Sequence, residues 1–308
     1  MTTRVPHNMI GLQPSGGDDR AQIVAALAAG PVYLAPGNWL VSSAITLPST
    51  SYLECAPGAT LKPTANSLTL LQTSGFTSGV KLVNVNVDGT GYTGTTAIKF
   101  SNVQYGSAIV GANINACAVG IQLDTTCIGV HIDHPTIYGT VDAIKIMASN
   151  ANVVTCPSID HQTGLSPLTG TGVYLTGSSN AVYGGFIQGF QHGVYDQGDY
   201  NKVDGTYFEL CSDNALRWDG SRLPSAVDVF FFGEAASAGA RFLCVANDTL
   251  GGRMVRPKMV VGNSTGGLFF FSSGNTGCVA DFATDGGTTN TALGTTTQIT
   301  KLANSQAI

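Results

Sequence analysis

The sequence predicts an all-β chain wound as a right-handed parallel β-helix, with a short N-terminal capping helix and a β-rich C-terminal oligomerisation region. Six short segments between Ala97 and Leu216 resemble one another: TAIKF with Ile98, VGIQL with Ile121, DAIKI with Ile144, TGVYL with Val173, HGVYD with Val194 and NALRW with Leu216. Their spacings are 23, 23, 29, 21 and 22 residues. A second series, Ile114, Ile137, Ile159, Ile187 and Phe208, is spaced 23, 22, 28 and 21. Two independent markers hold one period and stretch in the same unit, which marks stacked structural repeats. Within each unit apolar residues alternate with polar ones and are often β-branched, so the repeats are short strands and not helices. Such a period, with Gly, Ser and Asn at the corners, fits coils that lie on one another and bury their inward residues in a continuous stack.

Composition narrows the function classes. Among 308 residues only 11% are charged while 43% are hydrophobic, which suits a turn-rich folded chain with a polar, weakly ionic surface and excludes disorder. The net charge is −5 and no basic patch stands out, so nucleic acid is not an expected partner. The seven cysteines form no CxxC pair and read as small apolar residues packed inside coils. Neither a cofactor nor a metal is expected. The first residues, MTTRVPHNMIG, contain no apolar stretch of signal-peptide type, and no run approaches a membrane span. The expectation is a chain without a signal peptide and without membrane insertion.

Residues 1–45 divide into a polar arm (1–17), a helix near 19–29 and an opening coil. Asp18 or Asp19 suits an N-cap and Gly30 a helix end. The apolar face Ile23, Val24 and Leu27 would cover the open end of the coils. Residues 31–49 then read as an apolar strand from Val32 to Leu34, a turn at Pro36-Gly37, a strand from Trp39 to Val41, and another from Ile45 to Pro48. Together with Asp18-Asp19 ahead of the helix, this block resembles the opening coil of phage tailspikes and other pectate-lyase-like β-helix proteins. The resemblance runs on through LECAPGATL, VNVNVDGT and GTYFELC and covers residues 9–224. The Gly-Asp-Gly run common ahead of the helix in such tailspikes is reduced here to Gly16-Gly17. The resemblance implies the fold and a bacterial surface polysaccharide (capsule, O-antigen or exopolysaccharide) as partner, in a virion tail protein released by lysis. The N-terminal arm would then contact other tail or baseplate proteins. It does not fix the reaction, because the superfamily holds hydrolases, lyases, epimerases and proteins without catalysis.

Residues 46–224 form the β-helix proper, and 225–308 read as a β-rich trimerisation region. There Phe230-Phe231-Phe232 and Phe269-Phe270-Phe271 break alternation, so both strand faces need cover. Another subunit is the simplest cover, and a closed ring of three is the expected assembly.

Chemistry is sought at the outward position after each residue of the second series: Asn115, Tyr138, Asp160, Gln188 and Glu209, with Asp88 in line one coil earlier. Asp160 and Glu209 are one intervening coil apart, so their backbones should lie about 10 Å from one another. Two carboxyls about 6.5–9.5 Å apart suit inverting glycoside hydrolysis. Tyr207 points outward beside Glu209 as a platform for a sugar ring. The stretched unit adds HQTGLSPLTGT, a wall beside the column that begins at His161. The expected site is therefore Glu209 and Asp160 as catalytic groups, with Tyr207, His161, Gln188 and Tyr138 contacting substrate. Asp88 reads as a turn residue, and Asp124, Asp133 and Asp204 are alternates of lower rank. His192 is set aside as structural, and Lys99 and Lys145 as residues of a solvated face without the acid cluster a calcium-dependent lyase needs. Three functions remain: a tailspike that binds and hydrolyses a polysaccharide, a non-catalytic receptor-binding or structural tail protein, and a polysaccharide lyase or epimerase on the same scaffold.

Overall fold

The structure, a computed structural model, describes residues 8–161, 169–232, 244–260, 269–271 and 278–280. They fall into two compact units, 1–155 and 156–308. Each is built on three parallel sheets, to which the inner coils give one strand apiece, and the first unit adds a two-stranded sheet of Thr77–Ser78 and Val103–Gln104. The fold is a right-handed parallel β-helix.

In the first unit the inward series is in register, Ile98 beside Ile121 and Ile121 beside Ile144, and all three are fully buried. Each such side chain contributes about 1.5–3 kcal/mol of burial, so every coil adds its own share of core. The outward column on the second sheet is likewise in register, Asp88 with Asn115 and Asn115 with Tyr138.

The N-terminal helix spans Arg20–Ala29 and buries Ile23, Ala26 and Leu27. Val24, expected on the apolar face, is only half-buried. Asp19 is the N-cap residue but makes no side-chain cap bond. Its carboxylate instead accepts from the Ser15 and Leu40 backbone N–H groups and from Gln22, tying the helix to the strand Gly37–Val41. The polar arm read over 1–17 contains a strand, Ile10–Leu12, paired in parallel with Val32–Leu34. The first coil thus starts before the helix.

The second unit repeats the pattern. Val173, Val194 and Leu216 stack inward, as do Ile159, Ile187 and Phe208. The coils do not stop at residue 224. Strands Ser225–Val227, Phe230–Phe232, Cys244–Asn247, Arg253–Val255 and Lys258–Val260 join the same three sheets. Phe231 is fully buried, and outward Phe230 stacks on Tyr207 of its own chain, with centroids 5.1 Å apart and planes 19° from parallel. That outward phenylalanine finds a neighbour without a second subunit. The tail beyond residue 280 lies outside the described residues.

Between the first and second sheets the chain turns through a left-handed residue in coil after coil: Asn84, Gly111 and His134 in the first unit, and Cys156, Gly184, Gly205, Asp228 and Arg256 in the second, where Gly185 is left-handed as well. The corner leading out of His192–Asp196 is closed by buried polar groups. Asp196, 2% exposed, accepts from the Gly198 backbone N–H at 2.9 Å and from Asn201 Nδ2 at 2.7 Å. Asn201 in turn donates to the Gly177 carbonyl and accepts from the Asn180 backbone N–H.

The cysteines behave as read from the sequence in four cases: Cys55, Cys117, Cys127 and Cys278 are buried and free. Cys156 is exposed and Cys211 half-buried. Among the described residues no helix is long and apolar enough to cross a membrane.

Candidate functional site

The second sheet of the second unit positions the site. Ile159, Ile187 and Phe208 point inward, so the next residue of each three-residue strand must point outward. Asp160 pairs with Gln188, and Gln188 with Glu209. All three side chains are half-buried. Two strand spacings of about 4.8 Å place the Asp160 and Glu209 backbones about 10 Å apart, with Gln188 between them. The column holds together through backbone bonds: the His161 N–H donates to the Gln188 carbonyl and the Gly189 N–H to the Glu209 carbonyl, each at 3.1 Å. Gly189 has φ +79°, a left-handed backbone that favours glycine, and a Cβ there would meet Asp160 Oδ1 at 3.5 Å, an ordinary contact distance.

Tyr207 points outward beside Glu209, as its strand position requires. Its phenol donates to Glu209 Oε2 at 3.1 Å while its ring is stacked on Phe230. The Phe230 stack fixes the phenol, and the phenol fixes the carboxylate. His161 turns inward. It is 4% exposed, and its ring meets Phe190 edge-on, with centroids 5.1 Å apart. It stands two residues after inward Ile159 and so continues that face, where it packs against Phe190. Residues 162–168 of the expected wall lie outside the described residues. Tyr138, 42% exposed, belongs to the first unit and stands beside Asn115 on its outward face.

The other acids are engaged elsewhere. Asp88 forms the turn read from its sequence, accepting from Thr90 N–H and Oγ1, and also meets Lys62 and Asn115. Hydrogen bonds from Thr90 and the charge of Lys62 outweigh burial and hold its carboxyl below the usual range. Asp124 pairs with Lys99, Asp133 with His134 and Thr155, and Asp204 with Lys202. Lys145 pairs with Asp142. The two lysines set aside from the sequence therefore each have an acid neighbour, in separate pairs. Among the described residues no group of three or more metal-ligating side chains is assembled.

Solved structures similar to this chain include phage tailspike proteins and the A-module of a mannuronan epimerase. A tailspike protein mutant of E. coli bacteriophage HK620, in complex with a hexasaccharide, superposes with a TM-score of 0.71 at 11% identity, over 92% of this chain and 62% of that one. The fold is of the phage tailspike type. The Dettilon tailspike protein gives 0.62 at 13% identity, over 89% of this chain and 66% of that one. The A-module of the Azotobacter vinelandii mannuronan C-5 epimerase gives 0.53 at 14% identity, over 86% of this chain and 90% of that module. The chain thus spans 62% and 66% of the two tailspikes. No family model and no curated protein matches the sequence.

Proposed function

We propose that this chain is a tailspike-type protein that binds a bacterial surface polysaccharide and hydrolyses it with Glu209 and Asp160. The observation that carries the reading is the register Asp160–Gln188–Glu209, which sets two carboxyls on one outward column with one coil between them. Side chains leaning toward one another from backbones about 10 Å apart reach the separation of about 6.5–9.5 Å that leaves room for a water. One carboxyl protonates the glycosidic oxygen as its bond to the anomeric carbon breaks. The other takes a proton from the water that attacks that carbon from the opposite face, and the configuration inverts. Tyr207 holds Glu209 in place and Gln188 offers an amide between the two groups. A virion tail location, a homotrimer and tail or baseplate contacts through the N-terminal arm belong to the same proposal.

The test is the release of new reducing ends from capsule or O-antigen preparations. Glu209→Gln and Asp160→Asn should each lower turnover by about 100-fold or more, with melting temperature unchanged. If both variants cleave normally, this column is not the active site. The length match to the epimerase module favours a second reading, in which the scaffold acts on a uronate polymer by lysis or epimerisation. A rise in ultraviolet absorbance from an unsaturated product would support lysis, and C-5 inversion without chain cleavage would support epimerisation.

A further inference from the structure

A second constellation lies on the outward face of the third sheet of the same unit. The residues after the inward Val173, Val194 and Leu216 are Tyr174, Tyr195 and Arg217, in register on consecutive coils. The two tyrosine rings are 5.3 Å apart and inclined by 46°, and the Arg217 guanidinium lies 4.9 Å from the Tyr195 ring centre. Their polar ends are chained. The Tyr174 phenol donates to Gln197 Oε1 at 2.5 Å, and Gln197 Nε2 donates to the Tyr195 oxygen at 2.9 Å. Tyr195 donates to Asp219 Oδ2 at 2.9 Å, and Arg217 Nη2 donates to the same oxygen at 3.0 Å. At one side the His192 ring lies 5.3 Å from that of Tyr195, with Nε2 4.0 Å from Asp213 Oδ2.

The stack keeps Arg217 and Asp219 about a quarter open to solvent, at 27% and 26%, above the buried His192. Burial lowers the His192 pKa and favours the neutral imidazole, while burial and the bond to Asp219 push the Tyr195 phenol up to about 12. The charges are then one guanidinium against the carboxylates of Asp219 and Asp213, with no surplus positive charge to draw an anion. A guanidinium donor beside a carboxylate acceptor matches adjacent sugar hydroxyls, each of which both donates and accepts. Tyrosine ring faces offer apolar surface to the C–H groups of a sugar. Each coil rises about 4.8 Å, close to the length of one pyranose, so successive coils can meet successive sugars.

We propose that Tyr174, Tyr195, Arg217 and Asp219 form a binding subsite for a neutral, hydroxyl-rich saccharide. This goes beyond the hydrolytic reading and needs neither Glu209 nor Asp160. The full chain is applied to an array of hexasaccharides, one set neutral (glucose, galactose, rhamnose and N-acetylglucosamine units) and one set containing uronates. The wild type should be retained on members of the neutral set. Arg217→Ala and Tyr195→Phe should each weaken the best neutral hit about tenfold or more. Asp219→Asn, which leaves Arg217 uncompensated, should shift retention toward the uronates. Melting temperature is measured for each variant, and Gln197→Ala at the exposed rim decides the outcome should the others unfold. Retention confined to uronates, no retention on either set, or neutral binding unchanged in folded variants would overturn the proposal. Reducing-end release by the wild type is scored separately, so loss of the hydrolytic reading is distinguishable from loss of this one.

Discussion

Asp196 gives the sharpest prediction about stability. Burial is the main cause that raises its carboxyl from an ordinary 3.8 to about 7, against the opposing bonds from Asn201 and Gly198 and with added repulsion from Asp199. A carboxyl whose folded-state pKa lies above its unfolded value favours folding while it is protonated. Its stabilising share is complete below about pH 4 and is lost as pH rises toward and through 7. About three pH units at about 1.4 kcal/mol each set a ceiling of about 4 kcal/mol on the cost of the ionised form above pH 7. Asp196→Asn removes that cost, and its carbonyl can still accept from Gly198 and Asn201. The new amide N–H groups are buried and take back about 1–3 kcal/mol. The variant should therefore gain about 1–3 kcal/mol at pH 8 and equal or fall below the wild type at pH 5. Trp218 is the register partner of Asp196 and is 1% exposed, so its emission reports unfolding of this corner. Urea midpoints at pH 5, 6, 7 and 8 supply the test. His192, lowered by burial, contributes the opposite slope, since its share is lost as pH falls. The difference between variant and wild type isolates Asp196. A difference that does not change with pH, or a gain confined to pH 5, would refute the reasoning.

Three further outcomes are expected. Tyr207→Phe keeps the stack on Phe230 but deletes the phenol that orients Glu209, so the pH–rate profile should change shape while glycan affinity and melting temperature hold; an unchanged profile would remove Tyr207 from the mechanism. Gly189→Ala should cost about 1–2 kcal/mol from its left-handed backbone, read by thermal melting. Light scattering of dilute native protein should give three times the chain mass, and a monomer mass would count against the trimer.

The inward series was legible because β-branched residues recurring once per coil have one physical explanation, stacked burial, and the structure puts those residues in register. The Asp160–Glu209 column followed from it, since a three-residue strand leaves its flanking positions no other face. Residues at the strand ends were legible only in part. His161 continues the inward face of Ile159, but the stretched unit that starts there makes it look like the first residue of an exposed wall. Ile10–Leu12 is too short to show alternation, and its partner Val32–Leu34 lies beyond the helix. The Tyr174–Tyr195–Arg217 face was available as the position after the first inward series, but tyrosine and arginine there look like any solvated strand surface until their contacts are seen.

The two-residue corner between the first and second sheets, with its left-handed residue, has a consequence for how such a chain can be altered. With one such residue and its successor between strands, there is no slack: a residue inserted there would exchange the faces of the next strand, turning a position like Ile159 to solvent and one like Asp160 into the core. Deletion would do the same. From the coil of Asn84 onward this corner keeps its two-residue length, so the outward column there is rewritten by substitution, whereas the earlier corner at 56–58 holds three residues. Loops for a new specificity belong at the corner leaving that sheet, where the repeat already stretches from 23 to 29 residues between Ile144 and Val173.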